Sequence, residues 1–174
     1  MDLNKPGKSN SPRSAVMVLH ELLSDSLILT QRSEQLRHHP GELCFPGGIA
    51  DPEDATLYET ALRELQEELG ISPSRIHFIK AMDVEHTLMG ITIHPWYATI
   101  DQINPYVLNN DEVTSIISIP INLVLDITNY KEVIIERYGY KFSSCEFIPT
   151  KNLVWGATAR IMKQLAATSM RGGK

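Results

Sequence analysis

Apolar and polar positions divide the chain into three regimes. Residues 15–19 (Ala-Val-Met-Val-Leu) form a compact apolar run that predicts a buried strand, and 26–30 predicts its neighbour, with 21–25 as the turn between them. A polar stretch over 31–42 then leads to Leu43, Cys44 and Phe45. Pro46-Gly47-Gly48 follows, a sequence that breaks regular structure and lets the backbone approach a ligand closely. Leu57, Ala61, Leu62, Leu65 and Leu69 recur at helical spacing as one apolar stripe. Asp51 reads as the N-cap of that helix, Pro52 as its first residue, Asp54 as the capping-box partner and Gly70 as the left-handed stop.

Beyond Gly70 the pattern predicts strands rich in Ile, Val and aromatics over 75–85, 91–100, 113–119 and 130–142. A short helix is expected at 121–125, and an amphipathic one at 156–169 with Ala157, Ile161, Leu165 and Ala166 facing inward. Strands gathered around two or three helices predict an α+β or layered α/β/α domain. The polar first 13 residues read as a mobile lead-in, leaving 14–174 as one domain without internal repeats.

Composition narrows the classes. With 43% hydrophobic and 21% charged residues, the chain is neither disordered nor coiled coil. A net charge of −5 argues against nucleic acid or an anionic membrane as partner through bulk charge. Two Cys suit a reducing compartment, no apolar run approaches the roughly 20 residues of a membrane span, and the N-terminus lacks a signal-peptide core. A cytoplasmic location is expected.

The chemistry concentrates in the helix after the Gly-Gly turn. At about 100° per residue, Glu64 and Glu68 lie about 40° apart and Glu67 about 60° from Glu64, so all three share one flank. Residues 51–68 hold seven acids against one base, Arg63, and no cation at i+4 relieves Glu64, Glu67 or Glu68. Such crowding fits either a solvated acidic face or hard oxygen ligands for Mg²⁺ or Mn²⁺ gripping phosphate oxygens. His38 and His39 lack partners at zinc spacing. Cys44 and Cys145 read as core rather than nucleophiles, Trp96, Tyr97 and Trp155 as packing, and Met17, Met82 and Met89 as core filler.

At Arg63-Glu64-Leu65-Gln66-Glu67-Glu68-Leu69-Gly70-Ile71 the chain resembles the Nudix hydrolase family, whose signature ends Arg-Glu-U-x-Glu-Glu-x-Gly-U, with U a bulky aliphatic. The front half departs: where the signature wants Glu and Gly, the chain has Ala55 and Ile49, with Asp54 and Gly48 one residue earlier. A second stretch, from Leu29-Thr30-Gln31-Arg32-Ser33 through Arg37 and Gly41 to Phe45-Pro46-Gly47-Gly48, is similar to the signature of the coenzyme A pyrophosphatase branch. Asp111-Glu112-Val113, Ile119-Pro120 and Val154-Trp155-Gly156 also look like that branch.

The resemblance implies a mixed sheet between helices and cleavage of a nucleoside diphosphate derivative with Mg²⁺ or Mn²⁺. For this branch the substrate would be coenzyme A, giving 3′,5′-ADP and 4′-phosphopantetheine. It implies metal ligation by Glu64, Glu67, Glu68 and the Gly48 carbonyl, with Arg63 orienting a carboxylate. The general base is either a helix glutamate or Glu112, which reads equally as a polar residue ahead of a strand. Arg32 and Arg37 either meet substrate phosphates or lie in a solvated turn, and Gly47 offers close backbone approach. The partner would be a small molecule, and a homodimer stays open. Rival readings are a Nudix pyrophosphatase acting on ADP-ribose or a dinucleotide, and a non-catalytic nucleotide-binding domain.

Overall fold

A computed structural model describes residues 11–137 and 139–171. The elements run β1 (Arg13–Glu21), β2 (Ser26–Arg32), β3 (Leu43–Cys44), β4 (Gly47–Ile49), α1 (Leu57–Leu69), β5 (His77–Ala81), β6 (Glu85–His86) and β7 (Thr92–Ile100). They continue with β8 (Val113–Pro120), α2 (Ile121–Leu125), β9 (Tyr130–Arg137), β10 (Tyr140–Phe147), β11 (Val154–Trp155) and α3 (Gly156–Arg171). Of the expected lead-in, residues 1–10 lie outside the described residues and Arg13 already opens β1.

The main sheet is ordered β3-β2-β1-β7-β5, with β4 also on β1, β6 on β7 and β8 on β2. Strands β1 and β7 are parallel while β1–β2, β2–β8 and β5–β7 are antiparallel, so the sheet is mixed. A smaller sheet is ordered β11-β10-β9. One face of the main sheet buries Ala15, Met17, Leu19, Ile28 and Trp96 against Leu57, Ala61, Leu65 and Leu69 of α1. The other face buries Val18, Leu27 and Leu29 with Phe147 of β10 and Ile161, Met162 and Leu165 of α3. A strand covered on both faces needs apolar residues at successive positions, which is why residues 15–19 show no alternation. The expected α+β layering around a mixed sheet is what the chain adopts. Among the described residues, no helix is long and apolar enough to cross a membrane.

Several boundaries differ from expectation. Helix α1 starts at Leu57 with Thr56 as N-cap, its hydroxyl accepting from the Glu59 N–H at 3.1 Å. Asp51 and Asp54 instead close a separate turn, with the Asp54 N–H on the Asp51 carbonyl and the Asp51 N–H on Asp54 Oδ2. The stop at Gly70 is as expected (φ +63°). The stretch 130–142 is two strands of a hairpin, turned at Gly139 (φ +76°). The stretch 75–85 splits into a turn at Pro73–Arg75 and strands β5 and β6, β5 carrying a bulge between Phe78 and Lys80. Met89 is 73% exposed, at the tip joining β6 to β7, so it fills no core. Ala157 is half-buried, and Ala159 and Met162 join Ile161, Leu165 and Ala166 on the inward face of α3.

Candidate active site

Strand β4 sets two glycines against the start of β1, Gly48 opposite Ala15 and Gly47 opposite Val16. A β-carbon at Gly47 would collide with the Ala15 and Val16 backbone, and one at Gly48 would overlap the Glu64 carboxylate. The Glu64 side chain therefore lies directly on the Gly48 backbone, an approach that only a residue without a side chain allows.

Arg63 holds this arrangement. Its Nε and Nη2 grip the two oxygens of Asp54 at 3.0 Å each, Nη1 reaches Glu64 Oε1 and Glu67 Oε2 at 3.0 Å, and Nη2 also reaches the Ile49 carbonyl at 3.2 Å. Those contacts engage all five guanidinium donors. Asp54, 9% exposed, also accepts from the Thr60 hydroxyl at 2.8 Å and the Asp51 N–H at 2.9 Å. Hydrogen bonds from Arg63, above all, hold its carboxyl down at about 2. The Arg63 guanidinium is correspondingly driven further toward its charged form, chiefly by Asp54.

Three acids converge beside this clamp. One carboxylate oxygen from each of Glu64, Glu68 and Glu112 lies within 4.8 Å of the others. Burial raises Glu64, with Arg63 opposing. Glu68 is 3% exposed, and burial, followed by the charges of Glu64 and Glu112, pushes its carboxyl up to about 8. Arg32 and the Gly47 N–H pull it the other way. Glu68 Oε2 is buried without a hydrogen-bond partner. Glu112 comes from the segment before β8, and its Oε1 accepts from Asn109 Nδ2 at 3.0 Å.

An orphaned buried carboxylate oxygen, two further acid oxygens beside it and a glycine backbone under one of them fit a hard divalent cation. Glu64 and Glu68 would hold it, with Gly48 adjacent and the Glu112 carboxylate facing them. Glu67 stands outside this trio, half-exposed and tied to Arg63.

Arg32, at the end of β2 and half-buried, lies close enough to lower Glu68, and its Nε donates to the His38 carbonyl at 3.3 Å. Arg37 is exposed on the following loop. His38 and His39 are exposed too, and His39 pairs with Glu42 at 2.9 Å. Cys44 is half-buried beside Thr30 and Cys145 is in the core, with burial raising both thiols. Trp96 packs on Tyr58 and Phe78, and Met17 is fully buried. Sequence reasoning missed Thr60 and Asn109. Thr60 carries no local signal, but the Asn-Asn-Asp run at 109–111 is turn chemistry that marks where Glu112 is held.

A mixed sheet between helix layers thus sets paired helix glutamates facing a Gly-Gly strand. Residues 11–122 match the model of the NUDIX domain. Over 141 residues the chain is 33% identical to an uncharacterized Nudix hydrolase, NudL, of Yersinia pestis (strain Pestoides F), covering 81% of this chain and 71% of that protein. The chain belongs to the Nudix family and is a pyrophosphohydrolase, and members of this family generally use divalent metal ions. Its fold is similar to a C. elegans Ap4A hydrolase (TM-score 0.54, 19% identity, 63% of this chain and 80% of that one). It is also similar to the NUDIX domain of Shewanella oneidensis NrtR solved with ADP ribose (TM-score 0.53, 21% identity, 67% and 77%).

Proposed function

We propose that the chain hydrolyses the pyrophosphate bond of coenzyme A or its derivatives, releasing 3′,5′-ADP and 4′-phosphopantetheine, with Mg²⁺ or Mn²⁺. The observation that carries this reading is Arg32: it belongs to the stretch similar to the coenzyme A branch, and it pairs in the sheet with Val113, next to Glu112. When bound, the cation supplies positive charge that offsets the charge developing on the anhydride oxygens.

The chain's residues do the rest. Glu64 and Glu68 are the principal ligands, with the Gly48 carbonyl supporting them and Glu67 contributing through its pairing with Arg63. Arg63 fixes the Glu64 and Glu67 rotamers and, its donors all engaged, acts as a positioning residue. Glu112 accepts the proton of the attacking water as the P–O–P bridge opens. Arg32 and Arg37 present bidentate forks to substrate phosphates, and Gly47 leaves room for the diphosphate to approach.

Glu64→Gln and Glu68→Gln each abolish turnover in folded protein; unchanged kcat in either removes that residue from the site. A second reading, ADP-ribose hydrolysis, is favoured by the similarity to a fold solved with that ligand. A panel of coenzyme A, ADP-ribose, NADH and dinucleoside polyphosphates with each metal decides between them: strong preference for ADP-ribose overturns the coenzyme A assignment.

A further inference from the structure

The segment that delivers Glu112 is built on the end of α1. The Val107 N–H donates to the Leu69 carbonyl and the Asn109 N–H to the Glu68 carbonyl, both at 2.9 Å, so two carbonyls left open at the helix end are taken up. The chain then turns on Asn109. Its carbonyl accepts from the N–H groups of Glu112 (3.0 Å) and Val113 (2.8 Å), and its Oδ1 accepts from the Asp111 N–H at 3.3 Å. On the far side the Ser33 N–H donates to the Glu112 carbonyl at 2.8 Å, and Val113 pairs with Arg32.

The Glu112 backbone is thus held from α1 and from β2, but its carboxylate is another matter. Glu64 and Glu68 lie within 4.8 Å of it, and an ionised Glu64 repels an ionised neighbour. A flexible side chain facing that charge keeps its place only where a donor pairs with it. Asn109 Nδ2 is that donor, at 3.0 Å. The amide orientation follows from the network, since the oxygen is occupied by the Asp111 N–H and the nitrogen must then face Glu112.

We propose that Asn109 is the positioning residue that holds the Glu112 carboxylate in the acid trio, coupling the loop before β8 to the C-terminal turn of α1. The role rests on the reading of that trio as the reactive centre. Asparagine does two jobs here, and aspartate can do only one of them. In Asn109→Asp the side-chain oxygen still caps the Asp111 N–H, but the donor to Glu112 becomes a further negative charge.

The test compares Asn109→Asp, Glu112→Gln, their double variant and Glu64→Gln with the wild type. The readouts are kcat and KM on coenzyme A or whichever diphosphate of the panel is turned over, Mn²⁺ affinity from the electron paramagnetic resonance signal of free Mn²⁺, and melting in EDTA. Loss of a group that orients a ligand commonly costs about 10–100-fold in metal affinity or activity. Asn109→Asp is expected to lose at least about tenfold in kcat or Mn²⁺ affinity on that scale, with KM unchanged. Added to Glu112→Gln, it has almost no further effect. Wild-type kcat and Mn²⁺ affinity in Asn109→Asp overturn the proposal, as does an equal loss in the Glu112→Gln background. If Asn109→Asp fails to fold, Asn109→Ser, which keeps a hydroxyl for the turn and leaves Glu112 unheld, is judged by the same criteria. Glu64→Gln separates the two layers: full turnover there refutes the reading of the trio itself, whereas an inactive Glu64→Gln beside a normal Asn109→Asp refutes only the positioning role.

Discussion

Removing the Asp54 carboxylate tests the clamp that orients the acid ridge. Its folded carboxyl sits at about 2 against an ordinary 3.8. At about 1.4 kcal/mol per decade of acidity, that difference makes the native state roughly 2 kcal/mol more stable with Asp54 ionised. Because the folded value is the lower one, this stability is present above pH 3.8 and is lost as pH falls through about 2. Asp54→Ala does more than delete that contribution. It strands the Arg63 Nε, one Nη2 donor and the Asp51 N–H, and leaves the buried Thr60 hydroxyl only its long bond to the Thr56 carbonyl. Breaking a buried pair in this way costs about 3–5 kcal/mol, and with the Arg63 side chain 30% exposed the lower end applies, about 3 kcal/mol. Asp54→Asn, which keeps one carbonyl acceptor, should lose about 2 kcal/mol and flatten the acid limb of the stability curve below pH 4. Guanidinium unfolding of EDTA-treated protein at pH 7, repeated down to pH 2, measures both. A loss under about 1 kcal/mol in Asp54→Ala would refute the clamp as the organiser of this helix.

Gly48→Ala drives a β-carbon into the Glu64 carboxylate; Mn²⁺ affinity should fall at least about tenfold with the circular dichroism spectrum unchanged, and undiminished affinity would show that Glu64 has room to move. With Glu68 raised to about 8, the metal-free protein carries a proton there at pH 7. Mn²⁺ binding should release close to one proton, and calorimetry in buffers of different ionisation enthalpy would expose a proton-neutral event as the contrary result. The sign runs opposite to Asp54: Glu68 destabilises the metal-free fold as pH rises from 4.5 through about 8, so Glu68→Gln should melt higher than wild type in EDTA at pH 8. Equal melting there counts against the buried charge. Glu67→Gln, at a half-exposed position outside the trio, should cost far less Mn²⁺ affinity than Glu64→Gln; parity between the two would put Glu67 among the direct ligands.

How much of this was legible depended on the distance over which each contact acts. Glu64 and Glu68 were readable because four residues on a helix make a neighbour, and Gly70 because only a left-handed residue ends that helix so sharply. The start of α1 was not. Asp51 and Asp54 make the reciprocal side-chain bond of a capping box, yet Asp54 is drawn to a guanidinium nine residues on, and the helix waits for Thr56. The aspartate that stands one residue early in the motif meets Arg63 just past the turn at 51–54. The hairpin of β9 and β10 was hidden for a local reason: both strands favour extended backbone, and only Gly139 marks the turn. Glu112 lies furthest from any local rule. Its place among the acids depends on β8 pairing with β2 and on two backbone bonds to the end of α1, contacts that span some 40 to 80 residues of chain. Three elements must therefore dock before the third carboxylate arrives. The helix alone carries a pair of acids, and the assembled sheet makes them a trio.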